Sequence, residues 1–170
     1  FLVGPGHDFQ RRARAHELLL TALASTLSSW TGRSTTLVDV EGHGREDLFP
    51  DVDLSRTIGW FTTIYPVALA AHPGDLESTV RTVKDTVRSL PERGLTFGVL
   101  RYLSSDPEIR ATLAARPRAE VLFNYLGQLD RLLTGSTLLQ FADEGCGPSH
   151  APSGRRSHLI ELNAFVIRGR

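Results

Sequence analysis

Cysteine is almost missing from this chain. Cys146 is the only one, so no internal disulfide can form and no cysteine-based zinc cluster can be built. A reducing, cytoplasmic setting fits that usage. No charge of one sign dominates either, because Lys plus Arg and Asp plus Glu both number 19. A protein that neutralises many phosphates carries a basic surplus, and a polybasic membrane surface needs the same. Nucleic acid and membrane are therefore set aside as partners, leaving small molecules or other proteins. No apolar run approaches the roughly 20 residues that span a bilayer. The opening residues, Phe1-Leu2-Val3-Gly4-Pro5-Gly6, lack an initiating Met and the basic region of a signal peptide. They read as the start of an excised interior segment.

What is present is ordinary for a folded protein. Hydrophobic residues make up 41% and charged residues 22% of 170 positions, within the size of one domain. A chain of this length buries about two-thirds of its unfolded surface, enough for a core.

Helical periodicity is clearest over residues 11–30, where Leu19, Ala22, Leu23, Thr26, Leu27 and Trp30 recur at three and four residues and so share a face. Gly32 supplies a left-handed C-cap. Residues 35–41 switch to a period of two. Val38 and Val40 point one way, while Leu37, Asp39 and Glu41 point the other, as in a strand with one apolar and one acidic face. Gly42-His43-Gly44 ends it. Residues 58–70 are aromatic and β-branched and read as a buried strand broken near Pro66, with Trp30 and Trp60 as core fillers. Asp75 opens a helix whose Leu76, Val80, Val83, Val87 and Leu90 form a narrow stripe ending at Pro91. Residues 94–103 read as a short helix or turn, and Asp106-Pro107 as the cap of another. Residues 120–126, 137–141 and 157–167 are strand candidates, separated in part by a Gly-, Pro- and Ser-rich loop over 143–156. Interleaved helices and strands give an α/β class with a mixed sheet and flanking helices.

Three segments carry a family resemblance. They are Glu41-Gly42-His43-Gly44-Arg45-Glu46, the run from Arg56 to Val67 containing Gly59-Trp60-Phe61-Thr62, and Phe123-Asn124-Tyr125-Leu126-Gly127. In this order and spacing they resemble the EGHGRE, RTVGWFT-xx-YP and FNYLG signatures of the epimerization domains of nonribosomal peptide synthetases. One signature departs from that pattern: where the family has a middle glycine and a tyrosine, this chain has Thr96 and Phe97. Trp60-Phe61-Thr62 and Asn124-Tyr125 favour epimerization over the related condensation domains, which form peptide bonds.

The resemblance implies one half of a chloramphenicol acetyltransferase-like fold, a V-shaped pair of α/β halves around a tunnel. It makes residues 1–170 the C-terminal subdomain. The family's His-His-xxx-Asp-Gly signature belongs to the other half; here no two of the six histidines adjoin and no Asp-Gly pair occurs. A final helix is expected beyond Arg170. The implied partners are that N-terminal half and a peptidyl carrier protein, whose phosphopantetheine arm holds an aminoacyl or peptidyl thioester. No metal and no directly bound cofactor is implied.

Inverting the α-carbon of such a thioester requires a proton to leave one face and return to the other. Within the resemblance, Glu41 is one of the two acid/base groups and a histidine of the other half is the second. On its residues alone, Glu41 is either a solvated strand end or such a group, and partial burial would lift its pKa. Asn124 and Tyr125 line the channel by resemblance, although Asn124 reads equally as a structural amide. His43 reads as a turn anchor. Arg45 reads as a surface pair with Glu46, and lies near the channel by resemblance. Cys146 reads as a free thiol. A fragment alone is expected to be inactive. The competing readings are a condensation domain and a degenerate, non-catalytic docking module.

Overall fold

A computed structural model of the chain describes residues 14–46, 48–129, 144, 145, 147, 148 and 151–167. The expected strand at 137–141, Cys146 and the first turn of the expected opening helix lie outside these residues.

Helix α1 spans Ala15–Thr31. Its start is fixed by Glu17, whose carboxylate reaches back to accept from the Arg14 backbone N–H at 2.9 Å, satisfying a donor that the helix itself cannot. Its end is Gly32, left-handed at φ 70°, with its N–H donating to the Ser28 carbonyl. The buried face is not the expected stripe. Leu20, Ala24 and Leu27 pack inward with Glu17, Thr21 and Ser28, while Leu19 and Trp30 are 36% and 71% exposed. Three consecutive leucines let the pattern be read on either of two faces, and small residues at Thr21, Ala24 and Ser28 allow close approach on the true one.

Strands β1 (Thr35–Gly42) and β2 (Thr63–Ala70) pair antiparallel, with Val38 opposite Val67 and Val40 opposite Tyr65. β2 runs unbroken through Pro66, contrary to expectation. Among the described residues it is an edge strand, where a residue without an N–H forfeits no ladder bond. It also begins at Thr63, so the aromatic run before it is loop, with Ile58 and Trp60 almost fully exposed. Neither tryptophan fills the core.

Helix α2 (Leu76–Arg88) is capped by Asp75, which accepts from the Ser78 N–H. Its Val80 and Val83 are buried, but Leu76 at the stripe's start is half exposed. Short helical turns follow from Pro91 to Leu103. Thr96 donates its hydroxyl to the Pro91 carbonyl at 3.3 Å. A Cβ on Gly94 would lie 2.3 Å from the Tyr65 ring, and φ there is +89°, so no other residue fits. Helix α3 (Pro107–Ala114) carries the expected Asp106 cap and Pro107 in its first turn.

Strand β3 (Val121–Gln128) pairs parallel with β1, and β4 (Ile160–Val166) parallel with β3, in the order β2-β1-β3-β4. The sheet is therefore mixed, as expected. Its core face carries Val38, Val40, Val67, Leu69, Val121 and Phe123, closed by Leu20, Ala24 and Leu27 of α1 and Val83 of α2. The other face carries Asp39 and Glu41.

Candidate active site

A groove of about 950 Å³ opens where β1 and β3 end. Parallel strands place their carboxyl ends together, and crevices at such ends are the usual ligand sites of open α/β sheets. Val40 pairs with Phe123, so Glu41 and Asn124, the next residue on each strand, reach neighbouring positions. Both line the groove, as do Tyr125 and Arg45. The structure thus brings together all four residues singled out in the sequence.

Glu41 is part-buried. Burial raises its pKa above the ordinary value, the like charge of Glu161 adds to that, and His158 opposes it. A carboxyl so shifted exchanges protons closer to neutrality than a solvated one. Among the described residues no group of three or more His, Cys, Asp or Glu is arranged to hold a metal ion.

The turn after Glu41 is built by glycines and an arginine. A Cβ on Gly44 would lie 1.6 Å from the Phe61 carbonyl oxygen, so only glycine lets the two segments cross. His43 anchors the turn as expected: its Nδ1 accepts from the Arg45 N–H at 3.0 Å, and Nε2 lies 3.3 Å from Glu46. Arg45 does not pair with Glu46. Its guanidinium donates to the carbonyls of Leu54 (2.6 Å) and Gly59 (3.2 Å) and lies 4.3 Å from the centre of the Phe61 ring, a cation–π contact. It thereby ties the 54–61 loop, including Trp60, into the groove wall. Glu46 pairs instead with Arg93 at 3.1 Å.

Two long-range pairs escape sequence reading. At the groove, Arg88 of α2 donates to both oxygens of Glu17 in α1, Nε at 2.7 Å and Nη2 at 3.1 Å. Burial would raise the pKa of Glu17, but the Arg88 bonds and the Arg14 N–H outweigh it and hold the carboxyl below its ordinary value. His16 beside it is held below its ordinary pKa by burial, and its ring centre lies 5.7 Å from that of Phe123. The second pair is Asp39–His158, 2.9 Å apart. Partners 71 and 119 residues apart in sequence leave no local periodicity to detect.

Residues 10–165 match the Condensation domain family, and the chain belongs to that family of the nonribosomal peptide synthetases. It is 44% identical over 160 residues to one of the linear gramicidin synthase proteins of Brevibacillus parabrevis, covering 94% of this chain and 3% of that protein. It is 46% identical over 165 residues to chondramide synthase cmdD of Chondromyces crocatus, covering 96% of this chain and 4% of that one. The chain thus spans only a few hundredths of the curated relatives' length. Among solved structures, the epimerization domain from the third module of tyrocidine synthetase B superposes with a TM-score of 0.82 at 32% identity, covering 96% of this chain and 35% of that one. The first condensation domain of the calcium-dependent antibiotic synthetase, bound to a substrate analogue, superposes at 0.52 and 20% identity over 67% of this chain and 24% of that one. That second likeness is one of fold alone. The mixed sheet with flanking helices matches part of these domains, which have the chloramphenicol acetyltransferase-like fold.

Proposed function

We propose that residues 1–170 are the C-terminal subdomain of an epimerization domain, and that Glu41 moves the α-proton of a carrier-bound aminoacyl or peptidyl thioester. The observation that carries this reading is a part-buried carboxylate of raised proton affinity at a groove mouth, beside the Asn124 amide. The 32% identity with the tyrocidine synthetase epimerization domain supports it.

In this reading Glu41 takes the α-proton from one face, leaving the charge delocalised on the thioester oxygen. The Asn124 side-chain N–H stabilises that oxygen, and Tyr125 shapes the wall. A histidine of the N-terminal half, from the His-His-xxx-Asp-Gly signature, returns a proton on the other face. Arg45 acts by holding the 54–61 loop rather than by touching substrate. The phosphopantetheine arm belongs to the partner carrier protein, and no metal takes part. In this reading the parent synthetase works in the cytoplasm.

The test gives the intact domain a single aminoacyl-loaded carrier and follows the chirality of the released amino acid. Equilibration of L and D forms with one carrier supports the reading. Amide formation that occurs only when a second loaded carrier is added would replace it with condensation. No reaction with either, despite carrier binding, would leave a docking module.

A further inference from the structure

Asp39 and His158 grip each other across a strand to which neither belongs. Asp39 lies in β1 and His158 just before β4, with β3 between them. Even so, His158 Nε2 sits 2.9 Å from Asp39 Oδ2, the two side chains being 9% and 21% exposed. The Ser157 hydroxyl lies 3.0 Å from the other ring nitrogen, so both nitrogens are engaged. Leu122, in register with Asp39 on one side and Glu161 on the other, is buried there. On the same face Ile64 and Leu126 are 45% and 52% exposed. Alternation along β1 makes Glu41 the next residue after Asp39 on this face.

We propose that the Asp39–His158 bridge and Glu161 together form the electrostatic setting of Glu41, with His158 as a positioning residue that acts on the carboxylate without touching substrate. Glu161 favours the protonated form of Glu41 and a protonated His158 the ionised form. Other groups line the groove with Glu41. From β3 come the Asn124 amide and the Tyr125 phenol, and from β2 the Tyr65 phenol, which burial holds protonated. Towards α1 and α2, Glu17 is paired with Arg88, next to Arg14 and His16. In the turn, Glu46 bonds Arg93 and His43, while Arg45 is spent on carbonyls. Opposed influences from one side let the chain adjust its base without altering the groove.

The inference rests on the reading of Glu41 as the proton carrier, and its test separates the two. In the intact domain labelled with carboxyl-¹³C glutamate, the Glu41 signal is identified by its loss in Glu41→Gln and titrated. His158→Gln should move its midpoint up and Glu161→Gln move it down, each by a few tenths to about one pH unit. The acidic limb of the pH–rate profile for α-proton exchange should follow in the same directions. A midpoint unmoved in both variants, with only the melting temperature lowered, would overturn the proposal and leave His158 a strand cross-link. Opposite midpoint shifts with an unmoved rate profile would uphold the setting and overturn Glu41 as the base.

Discussion

The two faces of the sheet come from the same strands and do opposite work. On one, Val38, Val40, Val121 and Phe123 are at most 5% exposed beneath α1 and α2. On the other, one residue out of step, stand Asp39, Glu41, Asn124 and Glu161, with Ile64 and Leu126 half open to solvent. A strand's period of two lets a single segment hold the fold together and present chemistry. The contrast recurs in two carboxylates at one groove. Glu17 is bonded by Arg88 and held below its ordinary pKa, whereas Glu41 is raised by burial and by Glu161. Environments that push like groups apart in this way are what the proposed acid/base role of Glu41 draws on.

Unfolding by urea should expose the difference, from a large effect to almost none. Leu20→Ala removes a fully buried side chain and should cost about 2–5 kcal/mol. Arg88→Ala leaves the Glu17 carboxylate with fewer donors and should destabilise the fold at neutral pH, by less than Leu20→Ala. Because the folded pKa of Glu17 is lowered, its contribution is complete above the ordinary value of 4.5 and is lost as pH falls through the folded value. The Arg88→Ala penalty should therefore shrink on acidification; a penalty independent of pH would sink this account of the pair. Glu41 runs the other way. Its folded pKa is raised from 4.5, so the protein loses stability as pH climbs from there through the folded value. Glu41→Gln should abolish that loss and be no less stable than wild type at neutral pH. Trp60→Ala, at a side chain 90% exposed, should change stability by less than about 0.5 kcal/mol. A larger loss would restore Trp60 to the core.

Local patterns were read correctly where one periodicity had one solution. The alternation of β1 located Glu41 on the polar face, and Asp106-Pro107 marked the start of α3. Reading failed where composition was silent about neighbours. Leu18, Leu19 and Leu20 permit two helical faces, and Glu17 is buried on the true one because Arg88 meets it. Trp60 looked like core, yet it sits in a loop that Arg45 fastens to the groove wall. Pro66 looked like a break because the edge position of β2 depends on the whole sheet order. The family motifs supplied candidate residues, and the fold supplied their meeting point and the charges around them.

The proposed proton transfer at Glu41 is most directly measured by deuterium entering the α-carbon of a carrier-bound aminoacyl thioester in heavy water, using the intact domain. Glu41→Gln should slow that entry by about 10²–10⁴-fold while carrier binding and melting temperature hold. Entry at the wild-type rate in that variant would contradict the assignment of Glu41.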